Sequence, residues 1–127
     1  MANLVTVESN AILNASSGQT TYTNPTTPIK VALNTAVGSA TTAGTEVSGG
    51  SYARQSITFA AASSGSISSS VALTYTNMPA ATITSVDEWD SAGTPIRRWW
   101  GNLSASKTTN SGDTFSIASG SYTKTLS

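Results

Sequence analysis

Apolar residues in this chain recur at every second position, and clusters of Gly, Pro, Asn, Asp and Ser separate the runs. A repeat of two is that of a strand with one face buried; a helix repeats near 3.6. Ile29, Val31 and Leu33 alternate with Lys30 and Ala32, behind the extended lead-in of Pro25 and Pro28. Ala36 to Gly50 reads as a long loop, and Tyr52 to Phe59 as a second strand. Ile67, Val71, Leu73 and Tyr75 share one face of a third, which Asn77-Met78-Pro79 ends. In Ala81 to Trp89 the alternation slips, because Ile83 and Val86 are three apart; such a slip marks a bulge. Asp90 to Thr94 forms a hairpin loop, and Pro95 to Leu103 returns antiparallel. After a turn at Asn110–Asp113, Thr114–Ala118 (Phe115 and Ile117 inward) and Ser121–Leu126 (Tyr122 and Leu126 inward) form a last hairpin across Ser119-Gly120. Seven to eight strands at this spacing predict an all-β chain, a single antiparallel β-sandwich or jelly roll.

Residues 28–127 make up that domain, and residues 1–27 are an N-terminal arm or linker. Glu8 to Ala15 reads as one or two helical turns or as an extended arm. One core fits 127 residues. Ser and Thr fill about a third of the chain, but 38% apolar content with three Trp, four Tyr and two Phe does not match a disordered composition. Met1 to Val7 lacks a basic and then apolar leader, so no secretory signal is expected. No apolar run approaches the ~18–20 residues of a membrane span.

The chemical inventory is sparse. Without His there is no Ser-His-Asp machinery and no imidazole metal site; without Cys there is no disulfide, zinc finger or redox motif. Six basic and six acidic residues balance to zero, which argues against a nucleic-acid footprint. No cofactor, metal, nucleic acid or membrane is expected, and no enzyme activity. Five of the twelve charges are Asp87, Glu88, Asp90, Arg97 and Arg98, on one hairpin. Two carboxylates about 5–10 Å apart make a glycosidase pair, but Asp87 and Glu88 are adjacent on a strand and point to opposite faces. Calcium needs six to eight oxygens, more than three acids around a Trp supply. The plainer reading is cross-strand pairing of the acids with the two arginines.

Trp99 and Trp100 face opposite sides of their strand, so one can be core while the other lies on the outer face. An outward aromatic marks a protein contact; the alternatives are that loops or the N-terminal arm bury both rings or, less readily, a sugar platform. Arg54 lies mid-strand and either pairs with Glu46 or reaches a partner. The candidate interface residues are therefore Arg54, Glu88, Arg97, Arg98, Trp99 and Trp100, with Ile12, Leu13 and Tyr22 on the arm.

Several passages carry a family resemblance: GGSYAR with ITFAAAS, the Val71–Tyr75 strand, WDSAG after ITSV, WWGNLSASKTTNSGDT and the closing SIASGS. Over about four-fifths of its length the chain resembles small bacteriophage virion proteins of actinobacterial tailed phages, labelled tail fibre, minor tail or head decoration proteins. The resemblance implies a β-sandwich on the outside of a virion, made in the host cytoplasm. It also implies that Glu88 stands where the family more often has an apolar residue, so Glu88 is either a charge on a core face or an interface residue. With no repeat that could build a shaft, the first expectation is a head decoration protein in contact with the major capsid protein and its own copies, as a homo-oligomer. A tail, baseplate or fibre-type protein, with possible host-glycan contact, is the alternative.

Overall fold

The computed structural model describes residues 2–126. β1 (Asn3–Leu4) leads into one helix, α1 (Thr6–Ser16). Nine strands follow: β2 (Ile29–Ala36), β3 (Thr45–Glu46), β4 (Gln55–Ile57), β5 (Ser66–Ser68), β6 (Leu73–Met78), β7 (Ala81–Trp89), β8 (Arg97–Thr109), β9 (Asp113–Ile117) and β10 (Thr123–Thr125). The main sheet runs β1-β8-β7-β2-β3, with β4 also on β2. Two antiparallel pairs, β6–β9 and β5–β10, form the second layer. This is the all-β sandwich expected from the alternation, with more strands than the seven or eight predicted.

The core lies between the layers. Val31, Leu33, Ile83 and Val86 from the main sheet meet Leu73, Tyr75, Met78, Phe115 and Ile117 from β6–β9, with Ile57 and Tyr122 beside them. Tyr75 is edge-on to Phe115 and stacked on Tyr52, with centroids 6.0 Å apart in both pairs. Its hydroxyl donates to the Val31 carbonyl at 2.9 Å, which satisfies the one polar atom that this ring brings inside.

The slip at Ile83–Val86 is a bulge. Ile83 pairs with Lys107 and Ser85 with Asn102, so β8 places Leu103–Ser106 against the single residue Thr84. A second irregularity went unforeseen. Glu88 pairs with Trp99 and Trp89 with Arg97, leaving Arg98 as an extra residue. Unbroken alternation would put Arg97 on the face of Trp99; the bulge moves it to the face of Trp100, Asp87 and Trp89.

Three expectations need correction. The run Ile67–Tyr75 is not one strand. It breaks between β5 and β6, and Val71 at the break is 39% exposed. β9 and β10 do not pair with each other: β9 joins β6, β10 joins β5, and Leu126 is exposed. The N-terminal segment does not project as an arm. β1 pairs with β8, and Ala2 and Val5 are buried on the body. Its helix is three turns long and ends at Gly18 (φ 74°), where Ser17 and Gly18 N–H groups cap Leu13 and Ala15 carbonyls.

This packing predicts unequal costs for two apolar truncations. Ile83→Ala should lower the unfolding free energy by about 2–5 kcal/mol, and Val71→Ala by no more than about 0.5 kcal/mol. Urea unfolding of the two variants measures both; equal losses would contradict the break between β5 and β6.

Candidate functional site

β7 carries the charge cluster, and its two faces treat their acids differently. Val31 and Leu33 on β2 lie opposite Glu88 and Val86, so Glu88 points into the core side. Ala32 lies opposite Asp87, on the outer face. Both carboxylates are buried all the same, each at 2% exposure.

The outer face is closed by the 37–44 segment. Asp87 Oδ1 accepts from Arg97 Nη1 at 3.0 Å, and Oδ2 accepts from Asn34 Nδ2 at 3.0 Å and from the Gly44 amide at 2.9 Å. Arg97 Nη2 donates to the Ser39 carbonyl at 2.6 Å. The ion pair thus holds the covering segment at both of its ends. Gly44 is required there, because a Cβ would lie 2.4 Å from Asn34 Nδ2 and 2.6 Å from the Ala36 carbonyl oxygen. Next to it, Arg54 grips Glu46 through Nε (3.0 Å) and Nη2 (2.9 Å), and its guanidinium lies 4.5 Å from the centre of the Trp89 ring. Tyr52 also donates to Glu46, at 2.8 Å.

On the core side, Glu88 accepts from the Tyr122 hydroxyl at 3.0 Å and Lys124 Nζ at 2.8 Å. Lys124 in turn lies over Phe59 (4.1 Å) and Trp99 (5.0 Å). A charge where an apolar residue was expected is tolerated because Lys124 on β10 brings it a cation and Tyr122, just before β10, a hydroxyl.

Arg98, the bulged residue, is the hub for the N-terminal helix. It donates to Glu8 at 2.7 Å and to Asp90 at 2.8 and 3.2 Å. Tyr22 also donates to Glu8. Glu8 stands in the first turn of α1, where a carboxylate complements the helix dipole. Asp90 also accepts from the Ile96 and Ala92 amides, which shapes the β7–β8 loop.

The cross-strand pairing read from the sequence is present for Asp87 with Arg97 and Asp90 with Arg98, but Glu88 takes Lys124 instead of an arginine; the Arg54–Glu46 pair is present too. The contact surface placed on this hairpin needs correction. Glu88, Arg97 and Trp99 are buried within the chain, Glu88 against Tyr122 and Lys124 and Arg97 against Asp87 and Ser39. Trp100 and Trp89 share the outer face half-buried; their Nε1 donors have no acceptor among the described residues. Arg98, Arg54, Ile12 and Tyr22 are half-buried, and only Leu13 is fully open, at 61% exposure. What sequence reasoning missed is the 37–44 segment. Its Gly, Ser and Ala composition gives no sign that it folds back over a sheet face.

Among the described residues, nine of the twelve charged side chains enter ion pairs within the chain. Such an arrangement defines a self-contained β-sandwich that spends its charges on holding itself together and presents a Ser/Thr-rich surface. The chain belongs to the family described as Podophage GP4 fiber I protein gp80, whose model matches residues 3–125. It is therefore a phage virion structural protein, as the sequence resemblance implied. No curated protein matches the chain significantly.

Titration should follow these contacts at both ends of the pH scale. Burial raises the Asp90 carboxyl, but the hydrogen bonds from Ile96, Arg98 and Ala92 together outweigh it, and the group ends below its ordinary 3.8. Asp90 therefore adds stability above that value, and the contribution is lost as pH falls through the lower folded-state value. All four tyrosines are shifted the other way. Burial, with the Glu8 contact second, pushes Tyr22 up to about 12, and burial raises Tyr52, Tyr75 and Tyr122 as well. Their contribution is complete below the ordinary value of 10.0 and is lost as pH rises through the folded-state values. Spectrophotometric titration should show no tyrosinate at pH 10.5 in the folded chain and mostly tyrosinate in 6 M guanidinium. Equal titration in both would contradict the burial of the four hydroxyls.

Proposed function

We propose that this chain is a component of a tail fibre, or of the tail structure that bears one, in a tailed phage, and acts by packing against neighbouring virion proteins on the outer surface of the particle. The observation that carries this reading is the match of residues 3–125 to a fibre-protein family. It favours the fibre alternative over the head decoration role that came first from the sequence. The resemblance to virion proteins of actinobacterial phages supports a host of that group.

The physical character of the chain agrees with a packing role. Its acids sit on cations or on donors within the fold, so none of the pairs above is posed for general acid or base work. Copies crowded at fixed spacing repel one another little when most charge is neutralised within each copy. Hydroxyl-rich faces can bond a neighbour without the cost of desolvating a charge. A glycan platform on Trp99 loses its support, because that ring is buried beneath Lys124.

Quantitative mass spectrometry of separated heads and tails tests the placement. The chain should follow the tails, at a few to tens of copies per particle. Hundreds of copies on isolated heads would overturn the fibre reading in favour of decoration.

A further inference from the structure

The sandwich is open along one flank. β9 pairs with β6 on one side, and among the described residues no strand pairs with its other side. Facing that side, Leu103–Ser106 of β8 have no partner on β7. A groove of about 450 Å³ runs between the two stretches, lined by Leu103, Ala105, Phe115, Ile117 and Ala118 and by serine hydroxyls.

The charged residue in this lining is Lys107. It lies opposite Ile83, on the core side of β8, and its Nζ stands 5.7 Å from the centre of the Phe115 ring. It is exposed and has no ion-pair partner among the described residues. The groove therefore calls for three things at once: backbone donors and acceptors for the free edge of β9, apolar side chains for the lining, and an anion for Lys107. A second β9 would not supply them, because Phe115 and Ile117 are buried in its own core and leave Thr114 and Ser116 to offer.

We propose that the groove receives an extended, acidic segment of a different protein. The segment adds as a strand beside β9, sets alternate apolar side chains against Leu103 and Ile117, and places a carboxylate on Lys107. In such an addition the main-chain bonds give affinity, and the pockets for alternate side chains give specificity. The five residues of β9 set the length, about 17 Å of extended chain. A lysine beside an open edge ordinarily wards off a further strand. Here it admits a strand whose acid falls in the matching place and rejects one with a cation there, so Lys107 selects the partner. The inference rests on the packing role proposed above and gives that role a place and a partner chemistry.

Titration of the purified chain with the capped heptapeptide TVTVTET, followed by amide NMR, tests it. Resonances of residues 103–107 and 113–118 should shift at millimolar peptide. The same peptide methylated at every backbone nitrogen should not bind, because it has no donor left for β9. Lys107→Glu should weaken TVTVTET about threefold or more, since it replaces an attractive pair by a repulsive one. That variant should instead bind TVTVTKT as the wild-type chain binds TVTVTET. No shift in the two stretches at millimolar peptide, equal binding of the methylated peptide, or a Lys107→Glu chain indifferent to the peptide's charge overturns the proposal. On the intact particle, a zero-length carbodiimide should join Lys107 Nζ to an Asp or Glu carboxylate of a different virion protein, identified by peptide mass spectrometry. Lys107 joined only to copies of this chain, or not joined at all, overturns the proposal as well. These outcomes are separate from the fractionation above: a chain found on heads would end the fibre reading and leave the groove's partner standing, and a groove that takes no strand would leave the chain's place in the particle unchanged.

Discussion

The ion pair between Asp87 and Arg97 decides how the main sheet is built. An antiparallel sheet ordinarily leaves one face to water. Here β7 is buried on both, by the core on one side and by the 37–44 segment on the other. That segment offers few apolar side chains to hold it down. It is held by the Asp87 carboxylate at Gly44 and the Arg97 guanidinium at Ser39. Burying the two charges is costly in itself, and the cost is offset because every donor contact to Asp87 is short and three different elements supply them. Loss of either partner leaves the other charge buried with no counter-ion.

The bulge at Arg98 makes this possible. Without the extra residue, Arg97 would point into the core beside Trp99 and could not reach Asp87. The same extra residue turns Arg98 toward Glu8 and Asp90, so one irregularity serves both the outer-face pair and the docking of α1. Three charge clusters then sit within a few residues of one hairpin, each satisfied within the chain. A chain with so few charges has little left for its surface, and this near-neutral exterior agrees with the packing role proposed for it.

Much of the core was legible because it is local. Val31 with Leu33, Phe115 with Ile117, and Tyr122 show the alternation of half-buried strands, and the Ile83–Val86 spacing exposes its bulge. The opposite facing of Asp87 and Glu88 follows from adjacency alone. Which strands pair is not local. Thr114–Ala118 and Ser121–Leu126 look like a hairpin because a turn joins them, yet each finds its partner more than 35 residues away. The Arg98 bulge leaves no trace in Arg97-Arg98-Trp99-Trp100, where strict alternation reads equally well. Helix α1 was seen only in outline, since its Ala, Asn and Ser residues form no clear apolar stripe and its hold on the body is the buried Glu8. The Asp87–Arg97 and Asp90–Arg98 pairs were legible because they lie across one hairpin, whereas Glu8, Tyr122 and Lys124 come from distant parts of the chain, and the segment that covers the outer face could not be read.

A double-mutant cycle on Asp87→Leu and Arg97→Met, followed by urea unfolding, tests the central claim that this buried pair fastens the outer face. Each single change should cost about 3–5 kcal/mol, because it strands a buried charge. The double change should cost well under the sum, with a coupling of about 2 kcal/mol or more. Additive losses, or single variants as stable as the wild-type chain, would mean that the 37–44 segment is held by something other than this pair.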